Sequence, residues 1–234
     1  MKQILKSTLF IVLLLTGKLS FAHALWVETN AVGVKNQTQT VRVYYGEYAT
    51  KELEPVDKWY SDVQSFTLWL TTPSKQRIEL KKTAGADFFT ANFTPTEDGT
   101  YSLSVEHAAK DLGGTTKYVF SSLALVNVGK PSEWSVQAPL AVLVTPAVYK
   151  VGAKVRVAVV AAGKPLADAE VLVMSGEGWT KAFKTDAKGM VTFPALWKGN
   201  YVIEASNIIE QDGLWHNNAF KKTWHGTTTF VNVK

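Results

Sequence analysis

Four histidines and one early glutamate are the residues of this chain best suited to metal chemistry: His23, His107, His216, His225 and Glu47. Imidazole nitrogens bind Ni(II), Co(II), Cu(II) and Zn(II). A carboxylate can add an oxygen ligand or hold an imidazole ring in position. The chain has no cysteine, which excludes thiolate metal sites and disulfides. The chemistry that these residues predict is therefore binding of a divalent metal ion by nitrogen and oxygen.

His23 is a special case because it follows a segment typical of a secretory signal. Two lysines and an apolar run at residues 9–15 are followed by the small residues Ser20 and Ala22. Cleavage after Ala22 would leave His23 with both a free amine and an imidazole, which form a chelating arm. Protonation of these nitrogens would weaken binding in mild acid. The alternative is that His23 is an ordinary neighbour of the cleavage site without a metal role.

The other histidines have positions that suggest loops. His107 follows a predicted strand, whereas His216 and His225 lie in residues 206–226, a stretch with little β pattern. Connections of that length are usually functional or disordered, and a tryptophan precedes each of these two histidines. We expect His23 and His225 to meet in space. The alternatives are surface histidines that bond to backbone, and tryptophans that form a sugar-binding platform.

The elements that must position these residues are β-strands. Short alternating segments separated by turn signals run through the chain after residue 22, and no stretch of a dozen residues has a helical apolar stripe. We therefore predict an all-β protein with two β-sandwich domains, immunoglobulin-like or prealbumin-like. The predicted organisation is a signal peptide at 1–22, an N-terminal sandwich at 23–130, a linker at 131–138 and a C-terminal sandwich at 139–234.

Predicted strands cover residues 41–45, 65–70, 77–80, 88–93, 101–105, 118–128, 140–144, 154–160, 170–174, 190–193, 199–205 and 227–233. Residues 47–62 are polar and predict a long loop.

Charge and hydropathy limit the partners and the compartment. The formal charge is +5, but removal of three leader lysines leaves 22 basic against 20 acidic residues, which is not the footprint of a nucleic-acid binder. The leader's apolar run is far shorter than the roughly 20 residues of a membrane span, and no later segment approaches that length. We expect an exported protein, periplasmic or secreted, without a transmembrane segment in the mature chain.

Three motifs in the second half resemble the prealbumin-like or carboxypeptidase-regulatory-like β-sandwich. They are G-K-P-L-A-D-A-E-V at 163–171, T-D-A-K-G-M-V-T-F at 185–193 and K-G-N-Y-V-I-E-A at 198–205. The resemblance implies a fold and is nearly silent on function, because such modules are reused widely.

The chain from residue 23 onward resembles a family of secreted proteins of unassigned function that are identified as nickel/cobalt-uptake (NikM-like) components. The shared features are a mature start with His, an apolar pair and Trp at 23–26, Gly46-Glu47 after an early strand, and the G-K-P-L-A motif. Members often carry an acid after the first His, where this chain has Ala24. The resemblance implies extracytoplasmic handling of Ni or Co, with a membrane transporter or an outer-membrane receptor as partner.

Three functions are compatible with these residues. The first is a non-catalytic carrier of a divalent metal ion (Ni, Co, Cu or Zn), and the second is a structural, adhesive or carbohydrate-binding β module. The third is a copper oxygenase with a histidine brace, for which the chain shows no second-site pattern. No catalytic triad, P-loop, dinucleotide fingerprint or His-Glu-x-x-His motif is present, so we expect no enzymatic activity.

Overall fold

The computed structural model describes residues 23–134 and 138–234. The predicted signal peptide at 1–22 and residues 135–137 of the predicted linker lie outside the described residues. The all-β prediction is confirmed, because strands make up 58% of the described residues and helix only 4%. Three short 3-10 helices, Tyr48–Thr50, Val56–Lys58 and Val63–Ser65, are the helical elements there, and none is long or apolar enough to cross a membrane.

The strands are β1 Ala24–Glu28, β2 Val32–Gly33, β3 Gln39–Glu47, β4 Glu52–Leu53, β5 Trp69–Thr71, β6 Arg77–Glu79, β7 Thr83–Ala84, β8 Phe88–Phe93, β9 Gly99–Ala108, β10 Thr116–Val128, β11 Leu140–Val144, β12 Val148–Tyr149, β13 Lys154–Ala161, β14 Lys164–Pro165, β15 Glu170–Ser175, β16 Thr180–Lys184, β17 Met190–Pro194, β18 Gly199–Trp215 and β19 Asn218–Val233.

Three sheets are formed by these strands. A five-stranded sheet has the order β1-β3-β8-β7, with β4 beside β3, and a four-stranded sheet has the order β11-β13-β14, with β17 beside β13. The largest sheet has ten strands in the order β16-β15-β18-β19-β10-β9-β5-β6, with β12 beside β19 and β2 beside β10. Because β10 and β19 pair in parallel, with Tyr118 opposite Trp224, this sheet runs through both halves of the chain.

Each half has its own apolar core, which follows from the alternation of side chains along the strands. In β3, Val41 and Val43 are buried and alternate with residues that are exposed or half-buried, and β13 repeats the pattern with Val155 and Val157. Strand β1 differs because it is covered on both faces. Leu25 and Val27 belong to the first core, whereas Trp26 packs with Met174 and Val202 of the second half.

Residues 206–226 form a long β-hairpin rather than the predicted connection with little β structure. Strand β18 extends to Trp215 and β19 begins at Asn218, with His216 and Asn217 at positive φ in the turn. Most side chains of the outer half of β18 are exposed, so the arm shows no inward-facing apolar pattern. Backbone pairing with β19 holds this arm in place. The prediction of a long irregular connection is therefore wrong.

Candidate functional site

Three strands bring His23 to one edge of the five-stranded sheet. Ala24 lies opposite Gly46 in the antiparallel pair of β1 and β3, so His23 comes close to the end of β3. Strand β4 then folds back on β3, and the backbone amide of Glu54 donates to the carbonyl oxygen of Tyr45 over 3.0 Å. Gly46 permits this close return, because a Cβ at that position would overlap the backbone of Glu52. The result is a cluster of His23, Glu47 and Glu54, which we call the His23 site.

Both nitrogens of the His23 imidazole face carboxylates. Nε2 lies 2.9 Å from Oε1 of Glu54, and Nδ1 lies 3.5 Å from Oε1 of Glu47. The ring also packs against Tyr45, with a centroid separation of 5.4 Å. The Glu47 side chain is only 11% exposed, whereas that of His23 is 37% exposed. The His23 ring is therefore partly open to solvent, whereas the Glu47 side chain is largely shielded from it.

The hydrogen bond to Glu54 assigns a role to each nitrogen of His23. A carboxylate accepts the proton of Nε2, so in the neutral ring the lone pair lies on Nδ1. Oε1 of Glu47 is buried and has no hydrogen-bond partner. Burial raises the pKa of Glu47, Glu52 raises it further, and His23 opposes the shift. Two acceptor atoms thus face each other, and a proton or a metal ion between them would satisfy both.

The side chains alone do not complete a metal site. Across residues 23–134 and 138–234, no three histidine, aspartate or glutamate side chains are arranged to hold a metal ion. The two carboxylates of the His23 site lie against opposite ring nitrogens, so Nδ1 and Glu47 Oε1 form a pair. A third ligand atom would have to come from another source, such as a backbone amine or water.

His107 and His216 lie elsewhere. His107 is in β9, and its Nε2 lies 3.0 Å from Oδ1 of Asp62, which also accepts the backbone amide of Lys110. This contact ties a loop to a strand. His216 is exposed in the tight turn of the β18–β19 hairpin, where its ring contacts Trp215 edge-on at 4.7 Å. Metal roles for these two histidines stay predictions.

His225 lies within β19, between Val119 of β10 and Asn207 of β18. The ring of its neighbour Trp224 packs on Phe120 in the first core, so the His225 side chain points to the opposite face of the sheet. Burial lowers the pKa of His225, and Lys117 adds to the effect. No hydrogen bond, ion pair or aromatic contact of His23 in the described chain involves another histidine. The expected contact between His23 and His225 is not formed.

Two acidic residues of this region were not predicted as site residues. Glu54 lies in the segment that we interpreted as a loop. That segment contains several acids, and the sequence does not indicate which of them faces His23. Glu204 is an acid within the buried run of β18 from Tyr201 to Ala205, which is a signal that the sequence does contain. It lies opposite Thr228 and borders a small cavity with Ala24. Burial raises the pKa of Glu204 to about 8, with a contribution from the Glu47 charge.

The sequence profile of a family described as a domain of unknown function (DUF4198) matches residues 20–209. None of the curated proteins matches the chain. Among solved structures, Salmonella alpha-2-macroglobulin reacted with methylamine is 9% identical, with 89% of this chain and 14% of that chain covered and a TM-score of 0.28. Trypsin-activated alpha-2-macroglobulin from Escherichia coli is 10% identical, with 90% and 16% covered and a TM-score of 0.28. The chain thus spans less than a fifth of the length of either protein.

Proposed function

The chain belongs to the DUF4198 family, whose description assigns no activity, and from the His23 site we propose that it binds a divalent metal ion outside the cytoplasm. The observation that carries the proposal is the buried Oε1 of Glu47, which lacks a hydrogen-bond donor and faces Nδ1 of His23. A buried carboxylate oxygen without a hydrogen-bond donor is costly unless a cation neutralises it.

The donor set supports a transition metal of the Ni, Co, Cu or Zn group. The separation of 3.5 Å between Nδ1 and Oε1 is close to that of two ligand atoms that share one ion at bond lengths of about 2.1 Å. Glu54 holds the other ring nitrogen, as carboxylates commonly do behind a metal-binding histidine. If the leader is removed after Ala22, the free amine of His23 supplies a third ligand atom.

The proposed role is that of a carrier or accessory protein in metal uptake, without catalysis. The resemblance to nickel/cobalt-uptake components supports Ni or Co as the ion and a membrane transporter or outer-membrane receptor as partner. The neighbours of His23 are carboxylates, whereas a copper oxygenase needs a second imidazole. The oxygenase function is therefore not proposed.

Metal titration of two forms of the protein tests the proposal. One form begins at His23 and the other carries a single extra residue before it, and each is titrated calorimetrically with Ni(II), Co(II), Cu(II) and Zn(II). We expect the form with the free amine to bind at least one ion tighter than about 10 μM, and the extended form to bind much more weakly. Equal affinity of the two forms would overturn the role of the amine.

Substitution of the buried acid tests the second ligand. Glu47→Gln removes the charge with little change of shape, and we expect metal affinity to fall by at least about tenfold. Glu79→Gln is the matched control, because Glu79 is an exposed acid of β6. If Glu47→Gln and Glu79→Gln bind the metal equally well, Glu47 is not a ligand. If neither parent nor variants bind any of the four ions, the metal function is wrong.

A further inference from the structure

A polar cleft lies between the two halves of the chain, away from the His23 site, and we infer that it binds a neutral polyhydroxyl ligand, a mono- or disaccharide. Its volume of about 410 Å³ falls in the range of small-molecule sites, which often occur where two packed units meet. One wall comes from β1, β3 and the chain between them, and the other comes from the ends of β18 and β19.

The first wall carries one acid and one base. Glu28 lies opposite Arg42 in the pair of β1 and β3, so both side chains are on the same face. Oε1 of Glu28 accepts the indole N–H of Trp26 over 3.0 Å, and the Arg42 guanidinium lies 5.6 Å from the Phe88 ring centroid. No ion pair within the described chain joins Glu28 to Arg42. Arg42 also interacts with the Tyr44 side chain. The carboxyl group of Glu28 and the guanidinium of Arg42 both line the cleft, where each can contact a ligand.

The second wall carries a pair of amides and an aromatic ring. Asn200 lies opposite Asn232, and Nδ2 of Asn232 donates to Oδ1 of Asn200 over 2.8 Å. This bond leaves Oδ1 of Asn232 as an acceptor and Nδ2 of Asn200 as a donor. The ring of Phe230 also lines the cleft, and the exposed Val32 and Val34 border it. The cleft is thus lined by amide groups and by apolar side chains next to them.

This combination of groups fits a sugar better than an ion. The cleft has one positive and one negative group, so a ligand with a net charge would meet as much repulsion as attraction. Vicinal hydroxyls both donate and accept, which matches a carboxylate, a guanidinium and two amides together. The apolar side chains suit the C–H face of a pyranose ring.

Saturation-transfer NMR with sugars tests the inference. Glucose, galactose, mannose, N-acetylglucosamine, maltose and lactose are each added at millimolar concentration to the protein that begins at His23. We expect at least one sugar to receive magnetisation, with affinity at least about tenfold weaker in Arg42→Ala and in Asn232→Ala. Arg156→Ala is the matched control, because Arg156 is exposed on β13, away from the cleft, and should leave the signal unchanged.

The outcomes separate this site from the metal site. The sugar signal should persist in EDTA and in the form with an extra residue before His23, so failure of the metal function would not remove it. Absence of a signal from all six sugars would overturn the inference. A signal that Arg42→Ala and Asn232→Ala leave intact, with both variants folded by circular dichroism, would overturn it equally. Binding of free amino acids in place of sugars would assign the cleft to zwitterions and also overturn it.

Discussion

At the scale of single residues, Glu54 determines which nitrogen of His23 is available. Because its carboxylate accepts from Nε2, replacement by glutamine should free the ring to change tautomer and orientation. We expect Glu54→Gln to weaken metal binding by roughly 10- to 100-fold, the usual effect of losing such a partner. In the metal-free protein, the ¹⁵N shifts of the His23 ring should move toward a mixture of tautomers. Unchanged ring shifts would show that Glu54 does not orient His23.

Glu204 predicts a pH dependence of stability. Its pKa rises from an ordinary 4.5 to about 8, so between these pH values the folded protein holds a proton that the unfolded chain has released. The contribution of Glu204 to the free energy of unfolding is therefore fully present below about pH 4.5 and is lost as pH rises through about 8. Its upper limit is about 5 kcal/mol. Urea denaturation between about pH 5 and about pH 8 should show this decline.

Glu204→Gln supplies the control for that decline. Glutamine cannot ionise, so the fall in unfolding free energy with rising pH should become smaller in the variant. Burial raises the pKa of Glu28 and of Glu47 as well, so part of the slope should remain. Identical slopes for the variant and the parent would contradict the assignment of the pH dependence to Glu204.

The sequence predicted two of the three residues of the His23 site. His23 and Glu47 could be predicted because a chelating residue type and an acid at a strand end are local signals. The contact with Glu54 depends on β4 folding back on β3, which the backbone conformation of Gly46 permits and which no pattern indicates. The expected contact with His225 failed for a similar reason, because the direction of that side chain depends on whether residue 225 lies in a loop or in a strand.

At the scale of elements, the contact of Gly226 with Trp224 constrains the packing of β19. A Cβ at residue 226 would overlap the indole ring of Trp224, which packs in the first core. Gly226→Ala should therefore displace the ring and lower the unfolding free energy by roughly 1–3 kcal/mol, as overpacking does. Gly176→Ala is the control, since its Cβ would make only ordinary contacts. Equal thermal stability of the two variants would contradict this packing argument.

Strands with alternating buried residues could be predicted well, whereas exposed strands could not. Phe88–Phe93, which alternates, begins and ends where the pattern places it, and so does the almost fully buried Leu140–Val144. The outer arm of β18 was missed because Ile208, Ile209 and Leu214 are exposed and follow no inward-facing order. Its pairing with β19 depends on backbone hydrogen bonds, and these do not produce a periodic pattern of apolar side chains in the sequence.

At the scale of the whole molecule, the ten-stranded sheet joins the two predicted sandwiches. The parallel pair of β10 and β19 connects residues more than a hundred positions apart, and such pairing has no local sequence signal. The hydroxyl of Thr228 in β19 donates to the carbonyl oxygen of Leu25 in β1 and lies 2.8 Å from Oγ of Ser122 in β10. The first core therefore depends on a strand from the far end of the chain.

This dependence predicts that the protein unfolds as one unit. A fragment of residues 23–134 would lack β19, and with it Trp224 from the first core and the buried partner of Ser122. We expect a single calorimetric transition for the intact chain, with equal calorimetric and van't Hoff enthalpies. The isolated fragment should lack the near-UV circular dichroism of packed aromatic residues. Two separate transitions, or a fragment with cooperative unfolding of its own, would show instead that each sandwich is stable alone.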